Sequence, residues 1–227
     1  MSLSLSLHQG QPVLAAGVPL DEARAAMILV HGRGASAASI LDLARAIDQP
    51  GFAYLAPQAH GNTWYPHRFL EPLARNEPHL SSALAVIDGL VARINDAGVS
   101  SERVVLLGFS QGACLALEFA ARHARRWGGA IGLSGGLIGT GERPGYDPPD
   151  DKRFDYDGSL DGAPVFLGCS DVDAHIPPRR VQQSTEVLRA LGGDVTERIY
   201  PGMGHTINAD EVRFVRDMVP AVPEAEP

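Results

Sequence analysis

Cysteine is nearly absent: the 227 residues hold only Cys114 and Cys169, far apart and each inside an apolar run. That excludes a disulfide scaffold and a close-spaced thiolate metal site, and both are expected as buried thiols in a reducing compartment. Basic residues are in deficit, with 19 Lys and Arg against 27 Asp and Glu and a formal net charge of −8. Such a balance repels phosphate backbones and anionic leaflets, so a nucleic-acid partner is not expected. No segment approaches the roughly 20 apolar residues of a membrane span. Residues 1–7 have no basic residue and no continuous apolar stretch; their Ser/Leu alternation has the period of a strand, not of a signal peptide. The expectation is a cytoplasmic chain with no stable membrane association.

What is present is an ordinary globular composition, 44% hydrophobic and 20% charged. The length suits one domain over residues 1–219, with 220–227 as a flexible tail. Residues 25–31 (AAMILVH) are an apolar run that enters the turn Gly32-Arg33-Gly34, and residues 36–48 then place Ile40, Leu41, Leu43, Ala44 and Ile47 at helical spacing. The alternation recurs. Strands are predicted over 52–56, 103–109, 130–133, 164–168 and 195–200, and helices over 78–97, 111–126, 179–191 and 209–218. Continuous apolar strands alternating with helices predict an α/β fold, a mostly parallel central sheet with helices on both faces.

Two stretches break the rhythm. Residues 57–77 carry Trp64, Tyr65, Phe69 and Leu70, which are candidates to line a substrate pocket or, equally, to pack the loop onto the domain. Ile138 and Ile176 are further pocket candidates at strand ends. Residues 139–162 are rich in Gly, Pro and Asp and read either as a flap over a site or as a surface excursion.

The sharpest local signal is Gly108-Phe109-Ser110-Gln111-Gly112, a G-x-S-x-G pattern between an apolar strand and a helix. In that context a serine stands on a strained turn with its hydroxyl above the sheet, and small neighbours let strand and helix approach. The fold that uses this turn supplies its triad in the order Ser, Asp or Glu, His. His205 lies in the Gly-rich segment YPGMGHT, directly after a strand, where open α/β sheets place their sites. His175 is its nearest rival but follows the candidate acids too closely to bridge one of them to Ser110. For the acid, Asp171 and Asp173 in GCSDVDAHIP are both open. An ionised carboxylate there would fix the imidazole tautomer and stabilise the imidazolium.

Backbone N–H groups of His31-Gly32-Arg33-Gly34 are placed to form an oxyanion hole with the amide of Gln111. His31 itself reads as a brace for that loop. The remaining histidines match no ligand spacing, so no metal and no cofactor is expected. Gly32-x-Gly34-x-x-Ala37 also fits a dinucleotide fingerprint, but the next strand ends in Pro57-Gln58 where an acid is required.

Taken in order, LVHGRGA, GFSQGACLALEFA, GCSDVDAHIP and YPGMGH resemble the phospholipase/carboxylesterase family of α/β-hydrolases, which includes acyl-protein thioesterases and small bacterial esterases. The resemblance spans roughly residues 25–218. It implies an α/β-hydrolase fold, a catalytic triad Ser110, Asp173 and His205, and an oxyanion hole at the amides of Arg33 and Gln111. Asp173 is selected as the second aspartate of D-x-D-x-x-x-P. The chain departs from many relatives at Ala35, where they carry Asp, and its Thr63-Trp64-Tyr65-Pro66 segment is closer to a bacterial esterase subgroup. The implied activity is that of a serine carboxylesterase on short to medium acyl chains, without cofactor. Lysophospholipase or acyl-thioesterase action on the same triad is the alternative, and a non-catalytic binding module of the same fold is the alternative of another class. The expected partner is a small-molecule ester or thioester, with a second copy of the chain as a candidate.

Overall fold

The computed structural model describes residues 7–143 and 152–219. A seven-stranded sheet is its backbone: β1 (Val13–Gly17), β2 (Ala25–Val30), β3 (Phe52–Pro57), β4 (Val104–Phe109), β5 (Gly129–Leu133), β8 (Pro164–Ser170) and β9 (Asp194–Tyr200), in the spatial order β1-β3-β2-β4-β5-β8-β9. A separate two-stranded pair joins β6 (Gly141–Glu142) to β7 (Lys152–Arg153). The helices are α1 (Ala37–Ile47), α2 (Leu73–Asn76), α3 (His79–Asp96), α4 (Gln111–Arg122), α5 (Pro178–Ala190) and α6 (Ala209–Met218). All pairings in the large sheet are parallel except β1 with β3.

The central strands are apolar at every position because both faces are covered. In β2, Ala26, Ile28 and Val30 join the core beneath α3, α4 and α5, while Ala25, Met27 and Leu29 join the one beneath α1 and α6. Every residue of β2 and β3 is buried. The parallel strands run the same way, so the loops after β2, β4, β8 and β9 open at one edge of the sheet, where sites in such sheets form.

Several expectations change in detail. The N-terminal strand is Val13–Gly17, an antiparallel edge strand, while residues 1–6 lie outside the described part. The helix predicted over 111–126 ends at Arg122, because the chain turns to bury Trp127 before β5. The stretch 57–77 contains the single turn α2, and 139–162 contains β6 and β7; residues 144–151 of that proposed flap, and the tail 220–227, lie outside the described residues. Among the described residues no helix is long and apolar enough to cross a membrane.

Candidate active site

Ser110 sits between the end of β4 and the first turn of α4 with φ 56° and ψ −119°, a conformation that costs a non-glycine residue about 1–3 kcal/mol. Its amide donates to Leu133 O at 2.9 Å and its carbonyl accepts from Cys114 N at 3.1 Å, so both neighbours hold the turn. The flanking glycines are required by contact. A Cβ on Gly108 would run into the backbone of Gly112, and one on Gly112 would stand 2.6 Å from His31 O and closer still to Val30 O. The sharp turn exists because strand and helix meet without side chains between them.

The loops after β8 and β9 bring the other groups to this serine. His205 Nε2 lies 2.8 Å from Ser110 Oγ, and Nδ1 lies 2.7 Å from Asp173 Oδ2. With Nδ1 donating to the carboxylate, Nε2 is the acceptor for the serine hydroxyl. Asp173 is buried, and burial alone would raise its carboxyl. Hydrogen bonds from His205 and from the backbone amides of His175 and Ile176, at 2.8 and 3.0 Å to Oδ1, outweigh this and hold it below the ordinary carboxylate range. Asp171 is placed differently. It is exposed and accepts Gly202 N at 2.7 Å, while Ser170 Oγ accepts Gly204 N at 2.9 Å. These two bonds staple the histidine loop to the acid loop. Ser170 carried no sequence signal for this role.

Gln111 opens α4, so its N–H has no intrahelical carbonyl to bond. In the loop after β2, Gly34 N is spent on Asn62 O and Ala35 N on Gly32 O; Arg33 N has no such partner among the described residues. Among the described residues the two amides named for the oxyanion hole are therefore both unspent. The loop is held by its side chains. His31, fully buried, donates from Nδ1 to Gly32 O at 2.8 Å and accepts Ala59 N at Nε2 at 3.1 Å. The Arg33 guanidinium bonds Pro66 O and His67 O at 2.8 and 2.6 Å. Gln111 pairs with the same segment, accepting Trp64 N at 2.9 Å and donating to Tyr65 O at 2.8 Å. His8 is buried and neutral: Nδ1 accepts His60 N and Nε2 donates to Trp64 O. Burial lowers its affinity for a proton.

A cleft of about 290 Å³ opens over Ser110. Of the pocket candidates, Tyr65, Phe69 and Ile176 line it, together with Arg33, Gln111 and His205. Trp64, Leu70 and Ile138 do not: they are buried in the core below, and Trp64 Nε1 donates to His31 O at 2.9 Å. The cleft also exposes Phe109, whose ring centroid is 5.1 Å from that of His205, His175, edge-on to His205 at 4.7 Å, Cys114 and Arg68. Burial pushes the Cys114 and Cys169 thiols up to about 12, so neither is a thiolate at neutral pH.

Glu211 supports the histidine loop from below. Asn208 caps α6 by accepting Asp210 N and Glu211 N, and Glu211 Oε2 accepts Asn208 N in return at 2.9 Å, while Oε1, buried against Gly168, has no partner among the described residues. Burial, with the charge of Asp210 added, raises its carboxyl to about 7 even though the Asn208 bond opposes the shift. An acid that binds its proton more tightly in the fold stabilises the fold below its unfolded value and loses that contribution as pH rises through the folded one. From pH 5 to pH 8 the wild type is therefore expected to lose roughly 2.5 kcal/mol of unfolding free energy relative to Glu211→Gln. Urea titrations of both proteins across that range measure it, and parallel pH profiles would refute it.

Comparisons with known proteins fit this arrangement. A family model described as phospholipase/carboxylesterase matches residues 14–222. The chain is 38% identical to a solved phospholipase/carboxylesterase from Dyadobacter fermentans, with a TM-score of 0.84 over 92% of this chain and 96% of that one. It is 32% identical to acyl-protein thioesterase 1 of Gibberella zeae over 66% of this chain and 64% of the relative. The solved carboxylesterase of Bacillus cereus, 18% identical with a TM-score of 0.70 over 96% and 97% of the two chains, has the same fold. The chain spans less than two thirds of the length of the curated relatives it matches, 64% and 59% for two acyl-protein thioesterases.

Proposed function

The chain belongs to the phospholipase/carboxylesterase family of α/β-hydrolases, and from that premise we propose that it is a serine hydrolase that cleaves carboxylic esters of short to medium acyl chains through an acyl-serine intermediate. The observation that carries this reading is the unbroken chain of hydrogen bonds from Ser110 through His205 to Asp173, at 2.8 and 2.7 Å, beneath two unspent amides. His205 Nε2 takes the hydroxyl proton as Ser110 Oγ attacks the substrate carbonyl carbon. The oxygen of that carbonyl becomes an oxyanion between the N–H groups of Arg33 and Gln111, each such donor contributing about 2.7–4 kcal/mol to lowering the barrier. Asp173 stabilises the imidazolium. Nε2 then gives its proton to the departing alkoxide, and the carbon–oxygen bond breaks. In the second half, His205 takes a proton from water, hydroxide attacks the acyl-serine, and Ser110 recovers its proton as the carboxylic acid leaves.

The likeness to an acyl-protein thioesterase keeps thioesters within the substrate class, since the same steps break a carbon–sulfur bond. The cleft offers a small acyl group the apolar side chains of Tyr65, Phe69 and Ile176 beside Ser110. A binding module without catalysis would need a broken triad, and here all three groups are in contact. On p-nitrophenyl esters from acetyl to palmitoyl, kcat/KM is expected to peak at short chains. A peak at palmitoyl would move the assignment to long-chain lipid or acyl-protein substrates.

A further inference from the structure

The chain carries a net charge of −8, yet among the described residues no carboxylate lines the cleft. Its titratable walls are Arg33, Arg68, His175 and His205, with the Tyr65 hydroxyl and the Cys114 thiol neutral. Acids around it are committed elsewhere: Glu118, whose charge reaches Tyr65 and Cys114, is buried and pairs with Arg122 at 2.7 Å. Asp173 is buried behind His205, Asp171 accepts Gly202 N, Glu71 pairs with Arg75 at 2.8 Å, and Glu142 pairs with Lys152 at 2.9 Å. A cationic cleft in an anionic protein concentrates anions at its mouth.

The two guanidinium groups differ in what they have left to give. Arg33 spends both terminal nitrogens on Pro66 O and His67 O, so it adds charge to the wall. Arg68 is exposed, and the one hydrogen bond its guanidinium makes among the described residues runs from Nη2 to His175 O at 3.1 Å. It lines the cleft together with the largely apolar side chains of Tyr65, Phe69 and Ile176. A planar cation in a cleft with such apolar side chains suits a molecule with a short hydrocarbon stretch between its ester and a carboxylate.

We propose that the cleft takes an ester or thioester bearing a carboxylate, and that Arg68 recognises that carboxylate. This rests on the serine-hydrolase reading above. A role of Arg68 limited to tethering the His175 carbonyl would affect all substrates alike, so the informative quantity is a ratio between matched substrates.

The test compares monomethyl adipate with methyl hexanoate, which places a carboxylate on the acyl side, and 4-acetoxybenzoate with phenyl acetate, which places it on the leaving group. Wild type, Arg68→Gln, Arg68→Lys and Arg93→Gln, the last removing a cation from α3 outside the cleft, are assayed against a Ser110→Ala blank. In at least one pair the anionic-to-neutral ratio of kcat/KM is expected to fall about tenfold in Arg68→Gln, chiefly through KM. It should be partly restored in Arg68→Lys, unchanged in Arg93→Gln, and reduced in wild type by 0.5 M salt, about the level at which screening becomes short-ranged. Ratios equal in wild type and Arg68→Gln for both pairs would overturn the proposal. No Ser110-dependent rate on the neutral esters would instead strike the serine-hydrolase reading, so the two failures are distinguishable.

Discussion

Ser110→Ala is expected to lower kcat by about five orders of magnitude and to leave the melting temperature almost where it was. Among the described residues the hydroxyl makes a single hydrogen bond, to His205 Nε2, so its loss is expected to remove the nucleophile and little else. The turn is held by backbone contacts to Leu133 and Cys114 that alanine retains, and a Cβ already stands at this position. The residual rate over water would come from the amides of Arg33 and Gln111 and from binding in the cleft. Steady-state hydrolysis of p-nitrophenyl acetate, with thermal melts of both proteins, measures the two quantities. Activity above one part in a hundred would place the nucleophile elsewhere.

Gly112→Ala is expected to cost about 3 kcal/mol or more, which for a chain of this size lowers the melting temperature by roughly 6–12 °C. The new methyl group would press into the backbone of Val30 and His31, which cannot turn aside as a flexible side chain can. Relief requires α4 to move off β2. That displaces the Gln111 amide and the His31 carbonyl to which Trp64 is bonded, so activity falls with stability. Gly89→Ala supplies the control. Gly89 lies on the exposed side of α3 with open space around its Cβ position, and in a helix alanine is favoured over glycine by up to about 1 kcal/mol. Calorimetry should therefore move the two variants in opposite directions, and a Gly112→Ala protein as stable as wild type would remove the packing argument for the motif.

The parts of the fold that were legible in the sequence are those whose burial left a pattern. β2, β3, β4, β5 and β8 read as short apolar runs because helices cover both faces of the sheet. β1 left no such pattern: four of its five residues are exposed, and it is held by main-chain pairing with β3. α2 is a single turn, too short for any periodicity, and β6 and β7 pair over two residues each. Local propensity extended α4 to residue 126, whereas the demand to bury Trp127 ended it at Arg122.

The site follows the same division. Ser110 and His205 stand in short glycine-rich motifs whose spacing reflects backbone sterics, so both were visible. Asp171 and Asp173 are equivalent by local chemistry; the family resemblance alone selected Asp173, and three-dimensional distance separates the one beside the imidazole from the one that staples the loops. The pocket wall was half legible, because an aromatic in a loop looks the same whether it faces a cleft, as Tyr65 and Phe69 do, or the core, as Trp64 does. Arg68, one exposed arginine in a long loop, carried no signal at all.

The central claim is that Ser110 forms a covalent intermediate with help from His205, and reaction with an alkyl fluorophosphonate tests it most directly. Attack by Ser110 Oγ on phosphorus expels fluoride and leaves a stable ester on the protein. Intact-mass spectrometry should show one adduct per chain in the wild type, mapped by peptide analysis to Ser110, and none in Ser110→Ala. An unmodified wild-type protein, or an adduct that persists in Ser110→Ala, would contradict the account.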